Sequence, residues 1–204
     1  MPPPARRRTS TPRGERTRTA IMNAAIPLFA RHGYRGAPLA AVADAVEMTQ
    51  PGLLHHFPTK EHLLMAVLRE RDRDGIRRLR EGWYDSGRSA MHNLETLVEY
   101  NSTTPDLVQM FTVLVAEAVS AEHPAHEFFV ERYAAMRQRA REAVERAQES
   151  GEFRADVDAE RIATLILAVM DGLQLQWLLD GGRDMPPSFA LFVDMLLEYL
   201  TPGP

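Results

Sequence analysis

Residues 39–64 read LAAVADAVEMTQPGLLHHFPTKEHLL, and their punctuation decides the fold. Two short helices are expected, at about 39–46 and 50–56, with only a few residues between them. Thr49 precedes the second and can cap it, and Pro51 falls in its first turn, where a missing N–H costs nothing. Pro58-Thr59 then breaks the chain. Thr59 is a capping candidate for a long helix from Lys60 to about Trp83, which Gly82 and Asp85-Ser86-Gly87 close. Upstream, Ile21, Ala24, Ala25, Leu28 and Phe29 recur at helical spacing from Glu15 onward, on a helix that stops at Gly33. Pro27 removes the bond to the Asn23 carbonyl, so a bend or loosened turn is expected there.

A first helix followed by two short ones joined by a tight turn is the helix-turn-helix plan. Its reading helix enters the major groove by its N-terminal end, which calls for small or polar residues there. Thr49, Gln50, Pro51 and Gly52 supply them. Gln50 can donate to and accept from a base edge, and Gly52 allows close approach. His55 and His56 lie toward the DNA backbone, and Lys60 brings the charge a phosphate contact needs. The rival reading of the same pattern is a helical hairpin with no nucleic acid to bind.

Charge is divided along the chain. Residues 1–60 carry nine basic side chains against three acidic ones, and the remainder carries fifteen against twenty-five. A basic end on an acidic body points to a polyanion as partner of that end alone. Residues 1–14, MPPPARRRTSTPRG, have no apolar periodicity and are expected to be a disordered arm. Arg6, Arg7 and Arg8 of that arm could reach a minor groove, or simply stay solvated. The absence of cysteine fits a reducing compartment. No continuous apolar run suggests a membrane span, so the expected location is the cytoplasm.

Gly33-Tyr34-Arg35-Gly36, Val42-Ala43 through Met48-Thr49, and LLHHFPTKEHLL at 53–64 together resemble the N-terminal domain of TetR/AcrR transcription regulators, over residues 15 to about 66. The resemblance implies that Thr49, Gln50, Pro51, Gly52 and His55 face the groove, that His56 and Lys60 face phosphate, and that Phe57 is an apolar anchor. Three positions depart from the family pattern. Pro38 stands where a threonine usually caps the second helix, Leu54 replaces the usual tyrosine, and Glu47 replaces the glycine of the turn. Glu47 must therefore adopt a left-handed backbone or reshape the turn. Phosphate binding would then lean more on Arg35, Lys60 and the arm.

Five further helices are expected, at roughly 89–101, 105–121, 124–150, 158–180 and 187–200. The fourth of these is apolar nearly all round, with Ile162, Leu165, Ile166, Val169, Met170, Leu173, Trp177 and Leu178. The last repeats this with Phe189, Phe192, Val193, Met195, Leu196 and Tyr199. Surplus apolar surface on two consecutive helices implies either a thick core or a second copy of the chain. The resemblance favours the second copy, with Ile166, Val169, Leu173, Trp177, Phe192, Met195, Leu196 and Tyr199 at the interface.

Residues 105–137 and Asp171-Gly172-Leu173-Gln174 also look like a subgroup of these regulators, which implies a small-molecule pocket. Phe111, Leu114, Phe129, Tyr133, Met136 and Met170 are its expected walls, with Gln109 or Glu117 as polar handles. His123 and His126 with Glu127 straddle Pro124, and no metal or other cofactor is expected from them. Nothing matches a phosphate loop, a nucleophile motif or a dinucleotide fingerprint, so no enzyme activity is expected.

The expected architecture is all-α. A basic arm (1–14) precedes a helix-turn-helix domain (15–62) and a larger helical ligand-binding and dimerisation domain (63–204). The expected function is a transcriptional regulator, a homodimeric repressor released from double-stranded operator DNA by a small-molecule inducer. The alternative is a helical small-molecule-binding protein or enzyme without specific DNA binding.

Overall fold

A computed structural model describes residues 12–80, 85–180 and 184–203. The described residues form helices α1 (Pro12–Gly36), α2 (Leu39–Ala45), α3 (Gln50–His56), α4 (Lys60–Arg80), α5 (Gly87–Ser102), α6 (Pro105–Glu117), α7 (His126–Glu149), α8 (Ala159–Asp180) and α9 (Met185–Leu200). No strand occurs among them. Arg6, Arg7 and Arg8 lie outside the described residues, as does the expected end of the fourth helix at Trp83. Residues 12–14, read as the end of the arm, instead open α1.

The backbone stays helical through Pro27, so the expected disturbance is absent there; the single non-helical residue of α1 is Gly33, at φ 63° and ψ −173°. That combination is open almost only to glycine. Glu47 takes the left-handed backbone, at φ 54°. The turn is closed by bonds from the Val46, Glu47 and Met48 amides to the carbonyls of Ala43, Asp44 and Ala43. Pro38 caps α2 with no side-chain bond, as its chemistry requires.

The boundaries on either side of the α6–α7 turn move. α6 ends at Glu117 rather than near residue 121, and α7 begins at His126 rather than Pro124. The two histidines between hold the turn. The His123 Nδ1 accepts from the Ala125 amide at 3.2 Å, and the His126 Nδ1 donates to the Ala118 carbonyl at 2.8 Å.

There are two cores. One gathers Ile21, Ala25 and Phe29 of α1 with Leu53, Phe57, Leu63, Leu64 and Leu68, and α6 enters it with Met110, Phe111 and Leu114. The other joins α5, α7, α8 and α9 around Met91, Val144, Ile162, Phe189 and Val193. The first half of α4 thus belongs to the reading end, and α6 is shared between that end and the body. The start of α5 is held by its Ser86 cap and by Glu152, whose carboxylate accepts from the Gly87 and Arg88 amides at 2.8 and 2.9 Å. A carboxylate at a helix N-terminus satisfies orphan donors and opposes the helix dipole.

α8 carries an 18-residue window of mean hydropathy 1.6, long and apolar enough by length and composition to cross a membrane. No such stretch is expected from the sequence, where no continuous apolar run of that length occurs. In the fold α8 is a packed helix. Ile162, Ala163, Ile166, Leu167 and Met170 are buried on one side, while Leu165, Leu175 and Leu179 are exposed on the other.

Candidate DNA-reading surface and ligand cavity

The candidate reading surface is the N-terminal end of α3. The Thr49 hydroxyl accepts from the Gly52 amide at 3.3 Å, so Thr49 is first a cap and keeps its O–H and one lone pair for a partner. Gln50, Pro51 and His55 are exposed, Gly52 and His56 half-buried. The Gln50 amide makes no hydrogen bond among the described residues and is free for a base edge.

The rim is more occupied than the sequence implies. The Lys60 Nζ donates to the Arg35 carbonyl at 3.0 Å and sits 5.2 Å from the centre of the Tyr34 ring, which ties the start of α4 to the end of α1. Two of its N–H bonds remain, and the Arg35 side chain is exposed. Burial, then His55 and Arg18, hold the His56 ring below its ordinary pKa, so at neutral pH it is an uncharged donor rather than a cation. Sequence reasoning missed Arg18. Its guanidinium lies 4.1 Å from the Phe57 ring centre and donates to the His56 carbonyl, clamping α1 onto the end of α3. The available signal was an arginine one turn before the first buried residue of α1.

Behind the reading end, Glu117 fastens the last turn of α6 to the break in α1. One carboxylate oxygen accepts from the Tyr34 amide at 2.7 Å. The same oxygen lies 3.5 Å from the buried His123 Nε2. Gly33 is required for this contact, because a Cβ there would stand 2.0 Å from the Glu117 Oε1. Glu117 is therefore a latch rather than a ligand handle.

The body forms a partly open cavity of about 170 Å³ between α4, α5, α6, α7 and α8. An engineered cavity of about 150 Å³ is large enough for benzene, so this one suits a compact ligand. Of the expected walls, Phe111, Tyr133, Met136 and Met170 line it. Leu114 and Phe129 do not. They are buried in the core shared with α1, because α6 and α7 turn those faces toward the reading end. Gln109 does not line it either.

The polar part of the wall was not foreseen. Arg71, Asp72, Asn101, Arg132, Asp171 and Gln174 face the cavity. Arg132 pairs with Asp72 at 2.9 Å, and the Tyr133 hydroxyl donates to Asp171 at 2.8 Å. Burial pushes the Asp171 carboxyl up, and burial together with Asp171 pushes the Tyr133 phenol up.

On the outer face of α8 and α9, the residues expected at a dimer contact divide. Met195 and Tyr199 are exposed, and Val169, Leu173, Trp177 and Phe192 are half-buried against the core. Ile166 and Leu196 turn inward instead, at 1% and 8% exposure, so they have little surface left to give. The outward apolar face is carried in addition by Leu165, Leu175, Leu179 and Leu191.

A helix-turn-helix head on a helical body with a partly open cavity defines a one-component transcription regulator. Similarity to known proteins agrees and specifies it. Residues 87–201 match the family model for the C-terminal part of BetI-type transcriptional repressors, and residues 21–67 match that of bacterial regulatory proteins of the tetR family. The chain belongs to the TetR family, whose members are DNA-binding transcriptional regulators, not enzymes. It is 27% identical over 184 residues to the HTH-type transcriptional repressor KstR2 of Rhodococcus jostii, covering 89% of this chain and 88% of that one. Among solved structures, a transcriptional regulator from Saccharomonospora viridis in complex with choline superposes with TM-score 0.78 at 21% identity, covering 93% and 100% of the two chains. A regulator FadR from Bacillus subtilis in complex with stearoyl-CoA gives TM-score 0.78 at 15% identity, covering 89% and 98%. At these identities the two structures speak to the fold alone.

Proposed function

We propose that the chain is a cytoplasmic repressor that binds operator DNA as a homodimer and lets go when a small molecule enters the α4–α8 cavity. In this reading Gln50, Pro51, Gly52 and His55 meet base edges, while Thr49, His56, Lys60 and Arg35 contact the sugar–phosphate backbone. The exposed apolar face of α8 and α9 holds the two copies together. The observation that carries the reading is the position of α6: Phe111 lines the cavity, and Glu117, at the end of the same helix, grips the break in α1. A ligand that favours one placement of α6 thereby favours one placement of the reading head, and DNA responds with the same coupling energy in the opposite sense. The bound molecules in the two structural neighbours, choline and stearoyl-CoA, support the use of such bodies for small-molecule binding.

The test is selection of binding sites from random duplexes by the full chain. A two-fold symmetric site is expected, with half-sites about 34–36 Å apart, the spacing of successive major grooves. Recovery of no sequence preference, or of a single unrepeated half-site, would overturn the proposal.

A further inference from the structure

The cavity holds a cation that no carboxylate contacts directly among the described residues. Arg71 lies on α4 and lines the cavity. Among the described residues it forms no ion pair, and its buried Nε has no hydrogen-bond partner. Its guanidinium carbon stands 4.1 Å from the centre of the Phe111 ring. Arg71 is half-buried, and holding such a cation without a direct ion pair is costly, since a protein interior normally supplies an anion.

The nearby carboxylates are already engaged. Asp72 pairs with Arg132, Asp74 with Arg77 and Arg78 at 3.5 and 3.4 Å, and Asp171 accepts from the Tyr133 hydroxyl. Burial and the charge of Arg132 push the Arg71 guanidinium down to about 9, still protonated at neutral pH. Asp72 and Asp171 act on this guanidinium through space, but no carboxylate contacts it directly, which leaves its charge open to a contact partner that enters the cavity.

The aromatic faces point the same way. A quaternary ammonium ligand is ordinarily caged by the faces of tyrosine, tryptophan and phenylalanine. Here those faces already carry the chain's own cations: Arg71 and Arg132 stand 4.1 and 4.5 Å from the Phe111 ring centre, and Arg78 stands 3.5 Å from that of Tyr100. An incoming ammonium group would have to displace a guanidinium from its ring before it could be caged.

We propose that the cavity takes a compact organic anion, an apolar carboxylate whose carboxyl group pairs with Arg71 while its body lies against Met136, Ile166 and Met170, and that it rejects quaternary ammonium compounds. The inference rests on the cavity being the inducer site, and it sets this chain apart from its choline-bound structural neighbour. A guanidinium–carboxylate pair made through the terminal N–H groups would give the charge the direct partner it lacks.

The experiment is calorimetric titration of the full chain with benzoate, benzamide, benzyltrimethylammonium and choline. Benzoate should bind saturably. Benzamide, the same shape without the charge, should bind about ten- to a hundredfold more weakly, the worth of a charge-assisted contact. Neither ammonium compound should compete with benzoate. Arg71→Gln should lose the preference for benzoate over benzamide. Arg71→Met, which removes the unpaired charge, should melt at least as high as the parent chain without ligand while no longer gaining stability from benzoate.

Four results would each overturn the assignment: no saturable benzoate binding, equal affinity for benzamide, tighter binding of either ammonium compound, or an Arg71→Gln chain that still prefers benzoate. A parallel anisotropy titration on selected operator DNA separates this inference from the one beneath it. If benzoate binds through Arg71 yet leaves the DNA complex intact, release by this ligand class fails while the ligand class holds.

Discussion

Replacing Gly33 by alanine tests the junction between head and body at its narrowest point. Gly33 holds φ 63° and ψ −173°, a region that costs a residue with a Cβ about 1–3 kcal/mol. The new methyl would also stand 2.0 Å from the Glu117 Oε1. The glutamate side chain can swing away, but only by giving up the 2.7 Å bond from the Tyr34 amide. A hydrogen bond to a charged group is worth about 1.5–3 kcal/mol, and the lower end applies here because the carboxylate is partly solvated. Together these put the cost of Gly33→Ala at about 2–4 kcal/mol, read as a lowered urea midpoint with an unchanged slope. The diagnostic measurement is the same substitution made in a Glu117→Ala chain. There the obstacle is gone and only the backbone strain remains, so the cost should fall by about 1–2 kcal/mol, well outside the range in which independent sites add. Equal costs in both backgrounds would refute the claim that Glu117 occupies this space. A cost below about 0.5 kcal/mol in the parent chain would refute the backbone conformation itself.

Gln50→Ala should weaken operator binding by about 1–3 kcal/mol and relax preference at one base position; unchanged preference in a binding-site selection would remove Gln50 from the groove. Lys60→Ala should weaken binding to all sequences alike and shallow the salt dependence, and because Lys60 also bonds the Arg35 carbonyl it should lower the melting temperature slightly, which Gln50→Ala should not. Leu191→Asp with Met195→Asp places charges on side chains each 61% exposed, so helix content should persist while sedimentation shifts from dimer to monomer; a dimer that survives both charges would place the contact elsewhere. Burial holds the His123 ring below its ordinary pKa near 6.5 despite the opposing pull of Glu117. The unfolded chain thus binds the proton more readily, and stability held above pH 6.5 should drain away as the pH falls below it. Chemical denaturation across about pH 5–7.5, the range that brackets an ordinary histidine, should show the stability of the parent chain relative to His123→Gln declining on acidification, and a constant difference would contradict the shift.

The helix-turn-helix was legible because its signals are local. A proline fixes the first turn of α3, a threonine caps it, and Pro58-Thr59 separates it from α4, so both of its ends are written in the sequence. The body was less legible because its decisive features depend on which side of a helix meets which neighbour. Leu114 and Phe129 read as pocket walls on apolar character alone, yet α6 and α7 turn them toward α1. Ile166 and Leu196 read as interface residues, yet α8 and α9 turn them inward. Arg71 sits in the run RERDRD at 69–74, which reads as a solvated charged face. Its signal was positional: Leu64, Leu68, Arg71, Gly75 and Leu79 share one helical stripe, so a single arginine occupies a place where periodicity asks for an apolar residue. Glu117 left no comparable trace, since nothing local connects a glutamate ending α6 with a glycine 84 residues earlier.

The two unusual sites, the unpaired Arg71 and the Glu117 latch, lie on elements that touch. Arg71 stacks on Phe111, and Phe111 is six residues from Glu117 on α6, about 9 Å along a rigid helix. α4 makes the same journey by another route, from Arg71 back to Lys60 and its bond to the Arg35 carbonyl. α4 and α6, two of the helices that meet at the charged end of the cavity, therefore both finish at the same short stretch of α1, residues 33–35. Allosteric coupling is typically about 1–3 kcal/mol, and that is the order of one charge-assisted hydrogen bond. Loosening the Glu117–Tyr34 bond in the liganded state would thus be enough to account for release, without any large rearrangement of the body. A carboxylate paired with Arg71 changes what the Phe111 ring faces, from a bare cation to a neutral ion pair. That alters the α4–α6 contact at the point where the cavity and the latch share a helix.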